Sequence, residues 1–146
     1  MKQFLILILI LITTRTVMAQ SRQDQTQILQ KCIELPELQK YFPLEADGNL
    51  KPLVINYWHP VPFPTDLTLS QNGKNILFRS MPMESGKYSE AYFLFNKFEI
   101  LQGSSVVKFE YRYDNLIQPK VIQVALGFIK SGEAWEISTK KVSNQE

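Results

Sequence analysis

This 146-residue chain has one cysteine and one histidine, so it is poor in the residues most used for disulfide and metal chemistry. A lone thiol cannot close an intramolecular disulfide, and one imidazole without a Cys cluster does not supply the three or four ligands of a zinc site. An excess of charge is missing too. Lys and Arg number 16 against 14 Asp and Glu, with no basic block, so there is no electrostatic ground for nucleic acid as a partner. Six Gly and eight Pro exclude collagen-like and low-complexity chains. There is no Asn-x-Ser/Thr sequon, and no apolar run reaches the roughly 20 residues of a membrane-spanning helix.

What is present begins with an export signal. Met1-Lys2-Gln3 carries one positive charge, and Phe4 to Ile12 is an unbroken apolar run that stops at Thr13-Thr14-Arg15. Val17-Met18-Ala19 places modest and small side chains where a signal peptidase reads, and the chain then turns abruptly polar. Residues 1–19 are therefore predicted to be a cleaved signal peptide, with Gln20 as the new N-terminus and no transmembrane segment after cleavage. Cys32 lies thirteen positions beyond Ala19, too far for a lipoprotein signal. The absence of a sequon and of a Cys pair suits a bacterial exported protein, periplasmic or secreted. Cleavage removes Lys2 and Arg15, so the mature chain balances 14 basic residues against 14 acidic ones.

Residues 20–146 have the length of a single domain. From Asp24 to Phe42 the apolar residues Ile28, Cys32, Leu35, Leu38 and Phe42 recur at three and four, the period of one helical face. Pro36 lacks an amide hydrogen and predicts a kink or break there. Downstream the period changes to two. Val107, Phe109, Tyr111 and Tyr113 alternate with Lys108, Glu110 and Arg112, and Val121 to Lys130 and Ala134 to Val142 continue the pattern, the last with Trp135 and Ile137 inward. Turns at Gln102-Gly103, Asp114-Asn115 and Ser131-Gly132 predict consecutive hairpins. Tyr92 to Leu101 is a further strand whose alternation slips at Asn96-Lys97, the mark of a bulge or of burial on both faces. Leu53 to Trp58 and Ile76 to Ser80 read as short strands around Pro60, Pro62 and Pro64, which predict an extended loop or an edge. The expected architecture is α+β: an N-terminal helix packed on a curved antiparallel sheet of four to five strands.

This succession of elements, with Phe109-Glu110-Tyr111-Arg112-Tyr113 and the final hairpin from Lys130 to Ile137, resembles the cystatin-like and nuclear transport factor 2-like superfamily, including exported bacterial proteins of that shape. The resemblance implies a cone-shaped sheet around a helix. It implies no activity, because such folds host enzymes, binding modules and scaffolds alike. Gln123-Val124-Ala125-Leu126-Gly127 is similar to the Gln-x-Val-x-Gly of protease-inhibiting cystatins, with Ala125 in place of Val. Those residues fall inside an alternating strand, where they cannot enter a protease cleft.

Tyr57, Trp58, His59 and Phe63 form an aromatic stretch stiffened by proline, suited to stacking on a sugar ring or a peptide at low ordering cost. The structural alternative is that Trp58 and Phe63 cover one end of the helix while His59 meets solvent. Cys32 lies on the apolar helical face and reads as a buried thiol. Tyr111, Tyr113 and Asp114 have the chemistry of an acid/base group, but the alternation assigns the tyrosines to the core and Asp114 to a turn. Lys108, Glu110 and Arg112, like Glu34 with Glu37 and Lys140 with Lys141, read as solvated charge. No catalytic, metal or cofactor site emerges. The expected function is a small exported, non-enzymatic module binding a protein, peptide or glycan at the cell envelope. The alternative is a pocket-type enzyme or small-ligand carrier of the nuclear transport factor 2-like kind.

Overall fold

The computed structural model describes residues 22–58, 63–81, 91–114 and 118–145; the predicted signal peptide and His59 lie outside them. The apolar period of three and four yields a helix over 22–33, here α1, and a short α2 at Pro36–Gln39. Pro36 occupies the first turn of α2, where a missing amide hydrogen costs nothing, so the expected break lies where the sequence places it.

Four long strands follow the period of two: β5 (Tyr92–Leu101), β6 (Ser104–Tyr113), β7 (Lys120–Ser131) and β8 (Ala134–Gln145). They pair antiparallel in sequence order. Gly103 and Gly132, at φ of 75° and 63°, supply the left-handed backbone that tight hairpin turns demand. The slip in β5 is a bulge: the register shifts between Phe95 and Lys97, leaving Asn96 unopposed.

The remaining strands correct the expected architecture. Of the described residues 55% are strand and only about 15% helix, so the described part is sheet-dominated rather than a helix on a sheet of four to five strands. The sheet has six strands, in the order β4-β1-β5-β6-β7-β8, and it is mixed rather than antiparallel. Strand β1 (Val54–Trp58) runs parallel to both neighbours, β4 (Leu77–Met81) and β5. A two-strand hairpin, β2 (Ser70–Gln71) with β3 (Lys74–Asn75), sits in the connection from β1 to β4. The stretch with Pro60, Pro62 and Pro64, expected as an extended loop or an edge, lies largely outside the described residues; the strand before it, β1, is interior to the sheet. Strand β1 is buried on both faces at Val54, Ile55 and Asn56, as interior parallel strands are, and a five-residue run carries no signal of its pairing direction.

The two faces of the sheet differ. The inner face carries Phe93, Phe95, Val107, Phe109, Tyr111, Ile122, Val124, Leu126, Phe128 and Trp135, which form one core cluster with Ile28, Leu29, Cys32 and Ile33 of α1 and Leu38 of α2. Burial of each such large side chain contributes about 1.5–3 kcal/mol. Phe42 meets Phe93 and Tyr111 edge-on, at 6.0 and 5.6 Å between ring centroids. Polar contacts fix the helices on this face: the Gln27 Nε2 donates to the Glu133 carbonyl, the Trp135 amide donates to Gln27 Oε1, and the Lys140 ammonium pairs with Glu37. Ile137, expected inward, lies opposite Phe128 but is 38% exposed, because β8 is the sheet edge.

Candidate functional site

Cross-strand register places side chains on the outer face in rows that sequence distance conceals. One row runs Lys97, Lys108, Ala125, Lys141 across β5, β6, β7 and β8; the next runs Asn56, Leu94, Glu110, Gln123, Ser143 from β1 to β8. A third contains Val106, Gly127 and Thr139. Because Ala125 and Gly127 have so little side chain, the face is dented along β7. A shallow depression of about 360 Å³ is lined by Asn96, Lys108, Glu110, Gln123, Ala125, Lys141 and Ser143. A second, of about 240 Å³, continues from Ala125 and Lys141 to Val106, Gly127 and Thr139. Together they form a trough with β7 as its floor.

The bulge in β8 decides which side chains reach this trough. Ile137 opposes Phe128 and Thr139 opposes Gly127, so Ser138 is the extra residue and the alternation reverses after it. Lys140 consequently turns to the helices and pairs with Glu37, whereas Lys141 turns to the outer face. The hydrogen bond from Lys140 holds the Glu37 carboxyl below its usual range.

The charges of the sheet fall into two kinds. Lys97 pairs with Glu99 at 2.8 Å, Lys120 with Asp114 at 2.7 Å and Lys130 with Asp24 at 2.7 Å. Glu110 is held through one oxygen by the Arg112 fork, at 2.7 and 3.0 Å. Lys108 and Lys141 are exposed and have no ion-pair or hydrogen-bond partner among the described residues.

The aromatic stretch singled out by the sequence is split between the faces. Tyr57 and Phe63 stack at 5.8 Å and 10°, and Phe63 also meets Phe78, Phe95 and Phe98 at 5.1–6.3 Å, so both belong to inner-face packing. Trp58, two residues on from Asn56, lies on the outer face and is 43% exposed. His59 falls outside the described residues. Asn56 is fully buried, and among the described residues neither its Oδ1 nor its Nδ2 has a hydrogen-bond partner. No pattern in the sequence marks that amide, because a five-residue strand shows only that position 56 faces away from Ile55.

Tyr111, Tyr113 and Asp114 do not converge. The buried Tyr111 hydroxyl donates to the Tyr41 carbonyl at 3.0 Å, and burial raises its pKa well above that of a free phenol. Asp114, in a left-handed turn at φ 79°, is committed to Lys120. Cys32 is buried in the core, which pushes its thiol pKa far up. Among the described residues no three His, Cys, Asp or Glu side chains are grouped as metal ligands, and no helix is long and apolar enough to cross a membrane. The Gln123 to Gly127 segment lies within β7, paired on both sides.

No known family model, curated protein or solved structure matches the chain.

Proposed function

We propose that this chain is a small exported, non-enzymatic binding module of the cell envelope whose recognition surface is the outer face of β6, β7 and β8. The observation that carries this reading is the contrast between the faces. Inner-face aromatics are spent on packing and inner-face lysines on helix carboxylates, while the outer face has a polar trough with two ammonium groups that have no partner among the described residues. Trp58 adds an exposed aromatic to the same face. The charged, apolar and small-residue order of positions 1–19 supports export.

The rival reading, a pocket-type enzyme or carrier, requires room between helix and sheet. Phe109, Tyr111, Phe128 and Trp135 are each at most 1% exposed, and Phe93 lies 5.8 Å from Phe109 and 4.8 Å from Tyr111 between ring centroids. Packing of this kind favours a surface binder.

The test is retention from envelope extract on the immobilised exported chain, compared with an Ala125→Arg variant that fills the trough. The expected outcome is a protein, peptide or glycan retained by the parent and lost by the variant. Equal retention by both removes this face as the recognition surface.

A further inference from the structure

The trough runs along β7 from Gln123 to Gly127, four residue steps or about 14 Å, which matches roughly four residues of an extended chain. Lys108 and Lys141 stand two strand spacings apart, about 9–10 Å, with Ala125 between them. Their flexible four-carbon stems let both ammonium groups converge over that methyl group. Lys97 stands directly opposite Lys108, and like charges so placed destabilise a sheet. Two outer-face carboxylates of the described strands β5 and β6 are committed, Glu99 to Lys97 and Glu110 to Arg112, so neither is an ion-pair partner of Lys108 or Lys141.

We infer that the trough binds an extended acidic peptide segment, with one carboxylate seated over Ala125 between the ammonium groups of Lys108 and Lys141. This rests on the reading of the outer face as the recognition surface and adds the chemistry of the partner. A carboxylate has two oxygens and finds two charged donors here. Phosphate would ask for more: sheet backbone amides are consumed in the ladders, and the guanidinium of Arg112 on β6 is engaged by Glu110. Gln123, Ser143 and Thr139 along the floor and rim supply donors and acceptors for peptide groups, while Val106 and Ala125 give apolar contact.

The experiment is an NMR titration of the isotopically labelled exported chain with three probes: a blocked pentapeptide with central glutamates, the same peptide with glutamines, and inorganic phosphate. The expected result is saturable shifts confined to the trough for the glutamate peptide, with the glutamine peptide at least about tenfold weaker, a difference fitting charge-assisted hydrogen bonds. Lys108→Gln and Lys141→Gln each weaken the glutamate peptide about fivefold or more, and Lys31→Gln on α1 leaves it unchanged. Parent-like binding by both trough variants overturns the inference, as does phosphate binding as tightly as the glutamate peptide. Retention of the envelope partner separates the two levels. Loss at Ala125→Arg with full retention by both lysine variants sinks the carboxylate site alone, whereas no loss at Ala125→Arg sinks the recognition face itself.

Discussion

The Lys130 ammonium of β7 holds both carboxylate oxygens of Asp24 in α1, at 2.7 and 3.0 Å, across 106 residues of sequence. Both side chains are largely buried, at 18% and 15% exposure, and the ammonium also lies 5.6 Å from the centre of the Trp135 ring. Lys130→Met leaves the Asp24 charge in this shielded place without a partner. The expected loss is about 2 kcal/mol, between the exposed and fully buried limits for ion pairs. Urea unfolding of Lys130→Met, Asp24→Asn and the double variant measures it; additive losses would show that the pair is not coupled.

Gly127 is required by its neighbour rather than by its backbone. A Cβ at that position would lie 2.5 Å from the Thr139 Oγ1. Gly127→Ala is therefore expected to lower stability by about 1–3 kcal/mol, although alanine in an open strand position is ordinarily favourable. Thermal unfolding of Gly127→Ala with Thr139→Ala should recover most of that loss. A double variant as unstable as the single one would place the strain elsewhere.

Phe63 and Trp58, five residues apart, should separate cleanly in a stability assay. Phe63→Ala removes a ring that meets four others and is expected to cost about 2–3 kcal/mol, somewhat below the fully buried case. Trp58→Ala should cost less than about 1 kcal/mol, since 43% of the residue's surface is already exposed and it lies outside the core cluster. Equal losses in denaturant titrations would contradict the assignment of the two rings to opposite faces.

Asn56 has a side-chain amide buried in a central strand without a hydrogen-bond partner among the described residues. Asn56→Leu, which keeps the branched shape while removing the amide, is expected to raise stability by about 1 kcal/mol by removing that desolvation cost. A lower unfolding midpoint in urea would show that the amide has a stabilising partner.

Burial and the raised pKa of Cys32 predict a thiol unreactive toward an aromatic disulfide reagent at pH 8 in the folded state. Its modification should follow the global unfolding rate as denaturant is added. Fast reaction in native buffer would mean that α1 opens locally.

Much of the sheet was legible because alternation and turn residues act locally: the three hairpins' strands, the bulge at Asn96 and the break at Pro36 each follow from a few adjacent side chains. The direction of β1 was not legible. Val54 to Trp58 has the same composition whichever way its neighbours run, and its parallel partners are brought to it by connections whose path is set by the whole fold. The trough was hidden for another reason. Lys108 and Lys141 are 33 positions apart, and each alone reads as a solvated surface charge; only the register through Ala125 makes them neighbours. Lys140 and Lys141 are adjacent in sequence, yet one serves the core side and the other the trough.

That last division depends on Ser138, the extra residue of β8. Beyond it every side chain of the strand has exchanged sides relative to a regular ribbon starting at Trp135. Straightening the bulge, with Ser138 taken into the ladder, would therefore transpose the strand's two alphabets, sending Lys141 to the side of Glu37 and turning Lys140, Val142 and Asn144 to the outer face, with no change in any residue. In β8 the meaning of a lysine is set by its parity as much as by its chemistry.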